Sequence, residues 1–185
     1  MNRAILLAQL EEHAPENNHE DAMRRRIISF VLEHENCAER SLLIGHLTGS
    51  AWIVDQDFSH ALLTHHRKLD LWVQLGGHVE GEAEMLAASW REAREESGLI
   101  EVEPLSERIF DVDVHAIPER PGEPGHFHYD IRFIFRADRE APLTVTSESK
   151  DLAWVPIERI AELTGEESVL RMVRKTPGSA AILPA

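Results

Sequence analysis

The stretch Gly76–Leu99, GGHVEGEAEMLAASWREAREESGL, constrains this chain more than any other. The apolar run ahead of it, Leu71-Trp72-Val73-Gln74-Leu75, reads as a strand. Gly76-Gly77 reads as a strand-breaking pair that lets backbone approach a ligand closely. Met85 to Ser97 reads as a helix, and Gly98 as its stop. On that helix Glu92, Glu95 and Glu96 stand at i, i+3 and i+4, so three carboxylates share one face. Like charges there repel, and in the last turn they meet the negative end of the helix dipole. Two local rules broken at one place point to a functional site whose compensation comes from elsewhere. Oxygen-only donors suit a hard divalent cation such as Mg²⁺ or Mn²⁺. The bland alternative is a solvated acidic helix face, in a chain whose net charge is −14.

The spacing resembles the Nudix box: G, five residues, E, seven residues, R-E-U, one residue, E-E, one residue, G-U, with U a bulky aliphatic. Gly77 takes the first position, Arg91 and Glu92 the R-E, Glu95 and Glu96 the E-E, and Gly98-Leu99 the end. Two positions depart. Ala83 stands where the pattern has its first glutamate, flanked by Glu82 and Glu84, and Ala93 is a small substitute for U. The segments 45–51, 62–69 and 126–133 (HFHYDIRF) are similar to one Nudix subgroup with a GGH-x-[DE]-G box start. The likeness runs over about residues 40–160.

The resemblance implies an α+β fold: a Nudix-type α/β/α sandwich with a mixed central sheet, here preceded by an N-terminal helical extension. It implies an enzyme that splits a diphosphate linkage in a nucleoside diphosphate derivative or similar compound, by water attack on phosphorus. Glu92, Glu95 and Glu96 would hold Mg²⁺ (or Mn²⁺) against the diphosphate, neutralising its oxygens and lowering the pKa of water. By analogy Arg91 pairs with a box glutamate and orients it. Some family members take the general base from a loop outside the box. Glu148, in Thr146–Lys150, is the candidate here, with an ordinary loop glutamate as the alternative. Gly76, Gly77 and His78 would line the substrate, and Arg67, in the basic cluster His65–Lys68, would meet the distal phosphate, with solvation of a strand end as the commoner alternative. Family members are often dimers, which leaves a homodimer open.

Composition agrees with one enzyme domain. The chain has 185 residues, 43% hydrophobic and 28% charged, enough for a full core. Its negative charge argues against stable nucleic-acid binding, which needs a basic surface. It leaves room for a small-molecule diphosphate substrate, since a bound cation reverses the local field. The lone Cys37 cannot form an internal disulfide. No apolar run approaches the roughly 20 residues needed to span a bilayer, and the start is a poor signal peptide. The expectation is a soluble cytoplasmic protein with no membrane partner.

Three parts are read along the chain: residues 1–40 as a helical extension, 41–175 as the hydrolase domain, and 176–185 as a loose tail. In the extension Ile27, Ile28, Val31 and Leu32 form the apolar face. Residues 52–54 and 61–63 look like a strand pair, and 110–117 and 128–135 alternate as strands around the Pro- and Gly-rich link 118–125. Residues 156–175 read as two helices, the first opening at Pro156. Trp90, inside the box helix, is expected in the core.

Eleven histidines need placing. On a strand His126, His128 and Asp130 share one face, and with His78 they would line the site. They read as substrate contacts, as a His-x-His pair for Zn²⁺, or, the commonest case, as the polar face of an edge strand. Two functional classes stand beside the hydrolase. One is a catalytically weak Nudix-fold binding or sensing module, which the Ala83 departure motivates. The other is a different enzyme whose histidines hold Zn²⁺.

Overall fold

Ten consecutive residues, Gly45–Val54, are all buried and form strand β1. A strand buried on both faces reads as an unbroken run rather than an alternation. The structure is a computed structural model and describes residues 1–120, 122, 124–147 and 149–178. Helices α1 (Arg3–Glu12) and α2 (Asn18–Glu33) precede β1. Strands β2 (His60–His66), β3 (Leu71–Val73) and β4 (Leu75–His78) lead to helix α3 (Met85–Ser97). After it come β5 (Val102–Pro104), β6 (Asp111–Ile117), β7 (His126–Ala137) and β8 (Ser149–Pro156), a short 3₁₀ turn, α4 (Ile160–Leu163) and α5 (Glu167–Lys175). The eight strands are hydrogen-bonded in the order β3-β2-β1-β7-β5, with β4 on β1, β6 on β7 and β8 on β2. This is the expected α+β architecture: a mixed sheet with flanking helices, and two helices ahead of it.

The chain forms two compact units. The first takes Met1–Ser50, Gly76–Ser89 and Ser106–Phe133; the second takes Ala51–Leu75, Trp90–Leu105 and the described residues from Ile134 on.

In the first unit, asparagines cap both helices. The Asn2 side chain accepts from the Ile5 N–H, and that of Asn17 from the Glu20 N–H. The buried face of α2 is Ile27, Phe30 and Val31, spaced i, i+3, i+4. The expected Leu32 is instead 60% exposed, because it falls about 100° further round the helix than Val31. Phe30 stacks on Tyr129 at 3.8 Å, and the Arg26 guanidinium lies over Phe127 at 4.2 Å. These rings mark one face of β7. The period of two sends His126, His128, Asp130 and Arg132 to the other. β6 pairs antiparallel with β7 from Asp111↔Arg132 to Ile117↔His126, flanking the expected link.

In the second unit β2 is the central strand, pairing with β1 at Ile53↔Leu62, with β3, and with β8 along nearly its whole length. Asp55 closes the β1–β2 turn, accepting from the Ser59 and His60 N–H groups at 2.8 and 3.1 Å and from the Ser59 hydroxyl. Pro156 opens the 3₁₀ turn that runs into α4. Thr176, placed in the tail, is buried and accepts from the Trp52 indole N–H at 2.9 Å. The rest of the tail from residue 179 lies outside the described residues.

One expected strand is two. β3 ends at Val73 and β4 begins at Leu75, and the glycine pair lies within β4 instead of breaking it. Gly76 is required by its neighbour in the sheet: a Cβ there would sit 2.2 Å from Ser50 Oγ and 2.8 Å from Ser50 Cα.

Candidate active site

Helix α3 ends as its sequence demands. Gly98 has φ +74° and donates its N–H to the Arg94 carbonyl at 2.9 Å, as a glycine after a helix does. Before it, the three carboxylates are unequal. Glu92 and Glu96, one turn apart, are 9% and 7% exposed, while the Glu95 side chain is 61% exposed. The helical angle explains the split: Glu96 lies about 40° from Glu92, and Glu95 about 60° on the other side. That rotation brings Glu95 over Arg91. One Arg91 Nη donates to Glu92 and to Glu95, each at 2.9 Å. Burial works against the Arg91 charge, but the two glutamates outweigh it and hold the guanidinium above its ordinary range.

Trp90 is not a core residue. It is 42% exposed, with its indole N–H on the Val102 carbonyl at 2.7 Å and the Arg94 guanidinium 5.7 Å from its ring. The polar edge of the indole is satisfied by a strand carbonyl, which holds the ring at the helix surface.

At the start of the box Ala83 is exposed, and its carbonyl accepts from the Asn2 N–H at 2.7 Å. Gly49 lets the first turns of α3 approach β1: a Cβ on it would be 2.8 Å from Ser89 Oγ. His78, at the end of β4, belongs to a cluster of five imidazoles. One ring nitrogen from each of His46, His78 and His128 lies within 4.8 Å of the others. His126 Nε2 is 3.2 Å from His128 Nε2, and the His115 ring is centred 5.5 Å from that of His128. Burial, then the neighbouring imidazoles, lower the His128 pKa to about 2, so this ring is neutral.

Asp130 does not extend that cluster. It is 1% exposed and accepts from Thr48 Oγ1 at 2.9 Å, Ser50 Oγ at 2.8 Å and Arg132 Nε at 2.7 Å. The buried Arg132 also meets Asp111 at 3.1 Å and Asp113 at 3.5 Å. Desolvation disfavours its charge, yet Asp130, Asp113 and Asp111 more than offset this. In the second unit Arg67 donates from Nε to the Ser147 carbonyl at 2.9 Å and from Nη to that of Ser149 at 2.7 Å. It clamps the two residues either side of position 148. Glu148 itself lies outside the described residues. His65 is engaged with Asp70 at 2.8 Å and stacks on Trp72.

The model of the NUDIX domain matches residues 46–175. The chain belongs to the Nudix hydrolase family. No curated protein matches it by sequence. Similar solved folds include the dihydroneopterin triphosphate pyrophosphohydrolase of E. coli, at 19% identity over 70% of this chain and 92% of that one, TM-score 0.53. The Nudix hydrolase RenU of M. smegmatis is 16% identical over 76% and 89%, TM-score 0.54. An Ap4A hydrolase of C. elegans is 14% identical over 70% and 93%, TM-score 0.54. By family, then, this is a Nudix-type pyrophosphohydrolase, and α3 with the loop before it is its Nudix box.

Sequence reading missed the roles of His46, Asp111, Asp113 and Arg132 in this Nudix chain. For the three residues of β6 and β7 the signal was present. DVDVH at 111–115 and HFHYDIR at 126–132 both alternate, and pairing them antiparallel sets Asp111 opposite Arg132 and His115 opposite His128.

Proposed function

We propose that this protein hydrolyses a diphosphate linkage in a small nucleoside diphosphate derivative or similar compound, dependent on Mg²⁺ or Mn²⁺. The observation that carries the reading is the α3 carboxylate set. Two glutamates one turn apart are held nearly out of water, and a third is tied to the first by Arg91. The donors are all oxygen, which fits a hard cation and not a soft one. Glu92, Glu95 and Glu96 would hold it. When bound, it supplies neutralising charge at the phosphate oxygens and acidifies water. Arg91 fixes the rotamers of Glu92 and Glu95, so the carboxylates are ordered before substrate arrives. Glu95, the exposed member, is the one placed to exchange a proton with solvent. Gly76, Gly77 and His78 would line the substrate at the start of the box. The catalytic domain is assigned to 41–175, with 1–40 as its extension and 176–185 as its tail. Glu148 is retained as the candidate base. We place the protein in the cytoplasm, in keeping with a buried unpaired Cys37. Among the described residues no helix is long and apolar enough to cross a membrane.

The test is product release from a panel of nucleoside triphosphates, nucleotide sugars, dinucleotides and non-nucleotide diphosphates, with Mg²⁺, with Mn²⁺ and with EDTA. Turnover of one class, abolished by EDTA and lowered roughly 10²–10⁴-fold by Glu95→Gln or Glu96→Gln, is the expected result. Full turnover in either variant would sink the assignment of that glutamate. Binding of a panel member with no turnover would favour a sensing module.

A further inference from the structure

We propose that His46, His78 and His128 form a binding site for a divalent transition-metal ion, Zn²⁺ first among them, with His126 beside it. The site is distinct in chemistry from the carboxylates of α3 and does not rest on the hydrolase reading.

Three strands of the first unit deliver the ligands: His46 from β1, His78 from β4 and His128 from β7. Their rings converge, with centroids 4.9 Å apart for His46 and His78, 5.0 Å for His46 and His128, and 5.5 Å for His78 and His128. A nitrogen from each falls within 4.8 Å of the other two. Nitrogens bound to one tetrahedral Zn²⁺ at about 2.0–2.1 Å are about 3.3 Å apart, so modest ring rotations close the set on an ion.

Two more imidazoles, His126 and His115, flank the three. His126 Nδ1 is 2.9 Å from the Pro124 carbonyl. A carbonyl only accepts, so that nitrogen carries the proton and Nε2 presents a lone pair. It accepts from His128 Nε2–H, 3.2 Å away, a proton that His128 would shift to Nδ1 on binding the ion through Nε2. Such a carbonyl is the usual partner of a metal-binding imidazole, and here it orients the flanking His126, the candidate fourth ligand, and not one of the three. His115, opposite His128 across the β6–β7 ladder, has its Nδ1 3.3 Å from Asp113 Oδ2, which places a carboxylate behind the next ring out. An all-imidazole donor set selects Zn²⁺, Ni²⁺, Cu²⁺ or Fe²⁺ over Mg²⁺, which takes oxygen. His46 is 4% exposed, whereas His78 is only part-buried and leaves the ion a way in.

The experiment uses the full chain without an affinity tag, loaded with Zn²⁺, dialysed without chelator and analysed for metal. Retention of about one Zn²⁺ per chain, lost in His78→Gln and kept in Glu95→Gln, is expected. Absence of Zn²⁺ from the wild type would overturn the site. So would retention that survives His78→Gln but disappears with Glu95→Gln. If His78→Gln fails to fold, Co²⁺ added to the chelator-treated wild type decides. Intense visible bands of a four- or five-coordinate nitrogen-bound ion, bleached by Zn²⁺, are expected. The weak spectrum of a six-coordinate oxygen-bound ion would count against the site.

Discussion

Gly76 shows how much one missing Cβ carries. Backbone of β4 lies against Ser50 so closely that a methyl group would fall inside van der Waals distance of both the hydroxyl and Cα of Ser50. Rotating the hydroxyl away relieves one clash but not the other. Gly76→Ala is therefore expected to cost at least about 2 kcal/mol, read as a fall in the urea midpoint, and Ser50→Ala should restore only part of it. Full rescue by Ser50→Ala would show that the backbone has room after all. Arg91 is the residue-scale counterpart within the box. One guanidinium nitrogen serves two carboxylates, so Arg91→Ala is expected to lower kcat by about tenfold or more through loosened glutamates. KM should change less. An unchanged kcat would remove Arg91 from the machinery.

At the scale of elements, the β1–β2 turn is set by one carboxylate. Burial alone would raise the pKa of Asp55, but donors from Ser59 and the His60 N–H outweigh it and hold the group below its ordinary 3.8. A folded value below the unfolded one means the stabilisation is present above pH 3.8 and is lost as pH falls through the folded value. Asp55→Asn is expected to cost about 1–3 kcal/mol near neutrality. Urea midpoints followed into acid should show the gap to wild type closing below that value, and a gap constant with pH would contradict the assignment. This turn was legible in outline, since 52–54 and 61–63 read as a pair. Box spacing likewise showed α3 and its glycine stop. What sequence could not reveal was orientation. Trp90 sits in a helix with an apolar face, yet a carbonyl on β5 holds its indole at the surface. Residues 71–77 read as strand then break, because the neighbour that demands Gly76 lies far back in the chain at Ser50. The histidines of β7 were seen to share a face, and the β6 ring follows from pairing the two alternating segments; the rings from β1 and β4 lie at separations no local pattern encodes.

For the molecule as a whole, the N-terminal helices are integral to the first unit. Phe30 lies flat on Tyr129, and the Asn2 N–H reaches the carbonyl at Ala83 in the box loop. Phe30→Ala is expected to cost about 3–5 kcal/mol, appearing as a lower global unfolding midpoint. Faster amide exchange in α2 alone, at an unchanged midpoint, would make the helices an accessory layer. Each compact unit is also stitched from three separated stretches of chain. A nascent polypeptide emerging from the ribosome therefore completes neither unit early. The first closes only once Phe133 is out, when β7 is still missing its last residues, and the second waits for almost the entire chain. During synthesis β1 meets β2 and β4 early but waits for β7, so one edge of this long buried strand stays open until late, which makes the nascent chain a natural client for holding chaperones.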